Sequence, residues 1–120
     1  MAGAVSALSS ERGFAMSVKV LVTRHVKSEM KEEAISIVRE IRSTATLRPG
    51  HIFGETLYSE DNPNKVVVLS HWVDRKQWED WLADPARQDL ERRLAECLRE
   101  PEKVEVFQIG EKLPEWVHMA

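Results

Sequence analysis

A chain of 120 residues and 13.8 kDa, 42% hydrophobic and 31% charged, has the composition of one soluble globular domain and no room for a two-lobed enzyme. Seventeen Lys and Arg against twenty Asp and Glu give a net charge of −3 and a pI near 5.8, which excludes the basic footprint of nucleic-acid binding. No stretch approaches the about 20 apolar residues of a membrane span, and the single cysteine, Cys97, excludes a disulfide framework or a multi-cysteine zinc site; the expected location is cytoplasmic.

Residues 1–16, rich in Ala, Ser and Gly, show no sustained period and read as a disordered leader, with Met16 as an alternative start. Val18 to Val26 is β-branched and alternating, the signature of a first strand. Ser28 follows as the expected N-cap of a helix, with Glu29 in its first turn. Met30, Ala34, Ile35, Ile37, Val38 and Ile41 then place one apolar stripe on that helix. Arg48-Pro49-Gly50 ends it, and His51 to Tyr58 is a second strand. Ser59 to Asn64 is a polar turn leading into a third strand, Lys65 to Val73, so the two strands form a hairpin. Asp74 caps a second helix, with Gln77 in the capping-box position, and Asp84-Pro85 breaks and restarts it. Pro101 is its expected end, Val104 to Ile109 is a fourth strand, and residues 111–120 form a docking tail carrying Trp116 and Val117.

The order βαββαβ predicts an α+β, ferredoxin-like domain over residues 17–110: a four-stranded antiparallel sheet with its helices on one face. The uncovered face should alternate polar residues. Instead Val66 and Val68 fall in one parity of the third strand and Val67, Leu69 and Val73 in the other, and the fourth strand is apolar in both parities too. Two buried faces predict a homodimer packed sheet on sheet.

The stretch Pro49-Gly50-His51-Ile52-Phe53-Gly54-Glu55-Thr56-Leu57-Tyr58, the turn Asn62-Pro63-Asn64, the strand end Val68-Leu69-Ser70-His71-Trp72 and the helix Trp78 to Pro85 resemble an antibiotic biosynthesis monooxygenase domain of the dimeric α/β-barrel superfamily. The resemblance covers residues 17 to 109. It implies a range of activities: cofactor-independent oxygenation of polycyclic phenols, haem degradation, isomerisation, and members with no assigned reaction. In the haem-degrading branch a Trp at the position of Trp72 lines the pocket, beside a first-strand Asn and a helical His. Here Val22-Thr23-Arg24-His25 has no Asn, and Asp84 to Glu91 has no His, so haem is not expected.

A cofactor-independent oxygenase needs a base, a dry apolar cavity and groups that hold the substrate, because a deprotonated phenol or anthrone itself donates an electron to oxygen. Histidine suits the base. His25, His51 and His71 all fall on strands, and the reading assigns the base to His25 or His71, the anion-orienting group to Arg24, and apolar wall to Trp72 and Phe53. His71 and Trp72 are consecutive, so they share a pocket only across a dimer or through a bulge. A metal site of His25, His51 and His71 would need all three on one face, and neither metal nor cofactor is expected. Trp78, Trp81 and Trp116 form an aromatic set with two readings, a stack for a flat ligand or, the one expected, Trp78 and Trp81 docking their helix on the sheet and Trp116 anchoring the tail to a neighbouring subunit; Glu91-Arg92-Arg93 reads as solvated surface. Two functions fit: a monooxygenase taking a small aromatic or quinol-type compound and dioxygen, or a non-catalytic dimeric module that binds a small molecule or scaffolds a protein.

Overall fold

The computed structural model describes residues 17–110; the expected leader (1–16) and tail (111–120, with Trp116 and Val117) lie outside the described residues. Strand β1 (Val18–His25) buries Val18, Val20, Val22 and Arg24 on one face, as its period-2 pattern dictates. A single 3-10 turn (Ser28–Met30) leads into helix α1 (Lys31–Ala45). Strands β2 (His51–Tyr58) and β3 (Lys65–Trp72) form the hairpin; helices α2 (Arg75–Leu82) and α3 (Pro85–Ala95) follow, and β4 (Lys103–Gln108) closes the sheet. The strand order is β2-β3-β1-β4 with every pair antiparallel, the ferredoxin-like arrangement.

Local chemistry sets most boundaries. On α1, Ala34, Ile37, Val38, Ile41 and Ala45 recur every three or four residues and are all buried, each large one contributing about 1.5–3 kcal/mol relative to exposure. The Asp74 carboxylate accepts the Gln77 N–H at 2.9 Å and starts α2. Asp84 accepts the Ala86 N–H at 2.8 Å and Pro85 takes the first turn of α3, so the helix expected to be broken or kinked here is two helices. Ser28 does not act as the expected cap: its Oγ accepts from Asn64 Nδ2 of the hairpin turn at 2.8 Å, and the chain makes the 3-10 turn first. Helix α3 stops at Ala95, before Pro101; Cys97 and Leu98 bury beside β1, where Leu98 forms an isolated bridge to Val26.

All three helices cover one face of the sheet, because Trp78 and Trp81 of α2, Leu90 and Leu94 of α3 and the α1 stripe join one core with Val20, Val22, Val66 and Trp72. The register assigns the other face. Leu21, Val67 and Leu69, with Phe53, Leu57 and Phe107, stand opposite the helices. No helix of the described residues covers them, and Phe53 is 50%, Phe107 47% and Leu57 42% exposed.

Candidate functional site

One irregularity in pairing decides what the helix-side layer contains. Gly54 pairs with Ser70 and Phe53 with His71, so regular pairing would put Ile52 opposite Trp72 and turn His51 to the open face. A bulge between His51 and Phe53 instead pairs His51 with Trp72 and turns the imidazole inward. Its ring meets the Trp72 indole edge-on, with centroids 5.1 Å apart. Gly50, at φ 85°, makes the turn just before it, and a Cβ there would stand 2.5 Å from the Gln77 side chain. Only glycine satisfies both the dihedral and the space.

The inward groups surround a cavity of about 30 Å³ between the sheet and the helices, which is room for one or two water-sized molecules. Its aromatic wall is Trp72, fully buried, with Trp81 stacked at 6.4 Å and Trp78 edge-on at 6.0 Å. The Trp72 indole N–H donates to Ser70 Oγ at 3.0 Å, so that polar group is satisfied inside the core. The charged wall joins β1 to α3. Arg24 Nη2 donates to Glu91 Oε2 at 2.6 Å, and Arg87 Nη2 approaches the same oxygen at 3.0 Å. The Arg87 guanidinium also lies over the Trp78 ring at 5.5 Å.

At the mouth, Arg42 of α1 donates to Gly54 O at 2.6 Å and Thr56 Oγ1 at 3.1 Å, tying the helix to the edge strand. A Cβ on Gly54 would sit 3.3 Å from His51 Nε2 and 3.6 Å from Arg42 Nη2, so the absent side chain leaves these two groups free to converge. Partial burial, and then the positive charge of Arg42, hold the His51 pKa below its ordinary value. At neutral pH His51 is therefore an uncharged imidazole that can take a proton. Burial pushes the Cys97 thiol up, which keeps it protonated and unreactive.

Arg24 and Trp72 both line this cavity. His25, His71 and Phe53 do not: all three stand on the open face, where Phe53 pairs with His71. His71 pairs with Lys19, six residues along β1 from His25, so the two histidines lie about 20 Å apart and cannot serve one centre in a protomer. With His51 on the opposite face, the three histidines do not form a metal triad, and among the described residues no group of three or more His, Cys, Asp or Glu stands together as metal ligands.

Sequence reading missed Arg42, Arg87 and Glu91. Glu91 is not the expected solvated residue, since its side chain is only 12% exposed while Arg92 and Arg93 point outward. A signal was available: Arg87, Leu90, Glu91 and Leu94 fall at i, i+3, i+4 and i+7, one face of α3. A charged pair on an apolar stripe marks a polar group turned inward.

A small ferredoxin-like domain whose helix side holds a cavity walled by tryptophans and arginines defines the class. The chain belongs to the antibiotic biosynthesis monooxygenase family, whose defining sequence pattern matches residues 17–93. It is 25% identical over 83 residues to the 42.8 kDa protein in the whiE locus of Streptomyces coelicolor; this covers 69% of the chain but only 21% of that relative, so the chain spans about a fifth of the relative's length. The fold is that of SnoaB, a cofactor-independent oxygenase from Streptomyces nogalater, with a TM-score of 0.74 at 21% identity over 84% of this chain and 100% of that one. It is equally that of a conserved protein from Methanosarcina mazei, with a TM-score of 0.75 at 16% identity over 82% and 97% of the two chains. Among the described residues no helix is long and apolar enough to cross a membrane.

Proposed function

We propose that the chain is a cofactor-independent monooxygenase acting on a small, electron-rich aromatic compound of the phenol, hydroquinone or anthrone type. The observation that carries this reading is the neutral, inward-turned His51 beside Trp72 in the helix-side cavity. His51 takes the base role that sequence reading gave to His25 or His71. It removes a proton from the substrate, and the resulting anion transfers one electron to dioxygen. Recombination of the substrate radical with superoxide forms a carbon–oxygen bond. Protonation by the imidazolium gives a hydroperoxide, and loss of water breaks the O–O bond and leaves a carbonyl, so that one CH2 and O2 become C=O and H2O. Trp72, Trp78 and Trp81 exclude water from the anion.

The cavity as it stands accommodates dioxygen or a small substituent, and a ring is taken at its mouth, beside the partly buried Arg42 and His51. The small volume also favours a second reading, a dimeric module that binds or scaffolds without turnover. In either case the working form is a homodimer whose open sheet faces meet through Leu21, Phe53, Leu57, Val67, Leu69 and Phe107. A second copy is the simplest cover for an apolar sheet face.

Oxygen uptake with a panel of hydroquinones and anthrones separates the readings. The oxygenase consumes oxygen, and His51→Ala lowers turnover about 100-fold, the share of a positioned general base, while His25→Ala changes it little. Absence of uptake with every compound leaves the binding module.

A further inference from the structure

The cavity holds more positive charge than its own carboxylate can neutralise. Arg24, Arg42 and Arg87 line it against Glu91 alone, and His51 is uncharged. Arg24 and Arg87 are almost wholly buried, at 2% and 6% side-chain exposure, yet they share one oxygen of one carboxylate. Arg42 meets only neutral oxygens, those of Gly54 and Thr56. Glu102 also acts on Arg87 but does not line the cavity. Buried guanidinium is normally matched by anions; inside the cavity the buried pair Arg24 and Arg87 has one carboxylate between them, while Arg42 is partly exposed. A second, independent observation lies on Arg24. Its Nε–H is buried and has no hydrogen-bond partner, although buried donors are almost always paired.

We propose that the site selects aromatic compounds bearing a carboxylate, the carboxylate entering the cavity to the free Nε–H of Arg24 and the ring standing at the mouth beside His51 and Arg42. This deepens the proposed function by naming the substrate class, and it rests on the same cavity being the ligand site. A carboxylate fits better than a phenol. A carboxyl group with an ordinary pKa near 4 is ionised at neutral pH, whereas a phenol with one near 10 is not, and only a permanent anion satisfies the charge before any proton has moved. The planar fork of guanidinium also matches a carboxylate in shape.

Isothermal titration of the full chain at pH 7 with 2-naphthoate, 2-naphthamide and 2-naphthol tests the proposal without dioxygen or turnover. The expected result is that naphthoate binds about tenfold or more tighter than the neutral amide and naphthol, the share of a hydrogen bond to a charged group. Arg24→Met abolishes that preference, naphthoate binding no tighter than the amide, and Arg24→Lys, which keeps the charge without the fork, retains part of it. The wild-type comparison stands alone should Arg24→Met fail to fold. Equal affinity for naphthoate and amide, binding of none of the three, or a full preference surviving in folded Arg24→Met overturns the proposal. Failure of the oxygenase reading shows separately, as absent oxygen uptake by a protein that still prefers the carboxylate.

Discussion

His51 differs from His25 and His71 only in its surroundings, and its surroundings come from a single extra residue in β2. The bulge puts the ring against Trp72 and within reach of Arg42's field. Because burial lowers its folded pKa, the unfolded chain binds a proton more readily than the folded one. The linked stability is therefore fully present above the unfolded value, about 6.5, and is lost as pH falls through the folded value. Titration of the His51 ring by NMR should give a midpoint below 6.5. Arg42→Met should raise it only in part, since burial is the larger cause. A midpoint at or above 6.5 would remove the argument for a neutral base. The presence of three strand histidines was legible in the sequence; which one turns inward was not. Period-2 counting assumes uninterrupted pairing, and nothing in His51-Ile52-Phe53 announces the extra residue. Trp72 was singled out by the family resemblance and Arg24 by its charge; that the two share a face follows from the uninterrupted pairing of β1 with β3.

At the scale of elements, the α1–β2 turn and the α2–α3 junction hold the cavity's walls in place. Gly50→Ala should destabilise the fold by about 1–3 kcal/mol, since it forces a side chain into a left-handed conformation and against Gln77. A lower urea midpoint at unchanged slope would report this. Arg48 crosses from that turn to Asp84, donating from Nε at 2.7 Å, and its guanidinium lies over Trp81 at 5.6 Å. The hydrogen bond from Arg48 holds the Asp84 carboxyl below its ordinary value. The link's stabilisation is thus present above about pH 3.9, the unfolded value, and is lost as pH falls through the lower folded one. Asp84→Asn should flatten acid unfolding in that window; an unchanged acid profile would show the pair to be idle. Elements were the most legible level, because Asp74 and Asp84-Pro85 act on their own next turn. Ser28 misled for the opposite reason: its hydroxyl is claimed by Asn64, 36 residues away, and no local pattern records a tertiary partner.

For the whole molecule, the sheet separates two surfaces with different work. The helix side carries Trp72, Trp78 and Trp81, Arg24, Arg42 and Arg87, and His51; the open side carries an apolar layer around His71. One parity of β3 packs against the helices and the other belongs to the apolar open face, which explains why sequence alone indicated two apolar faces but not which one carries the cavity. Phe53→Asp with Phe107→Asp should convert a dimer into a monomer by light scattering and leave the helix-side cavity intact; a wild-type protein monomeric at micromolar concentration would contradict the dimer. Ligand entry is proposed on the helix side. It is tested most directly by following backbone and indole NMR signals of the wild-type chain as 2-naphthoate is added. The Trp72 indole N–H and the signals of His51 and Gly54 should shift first and saturably, while Leu21, Phe53 and Leu69 hold still. Saturable shifts confined to Leu21, Phe53 and Leu69, with Trp72 and His51 unmoved, would contradict it.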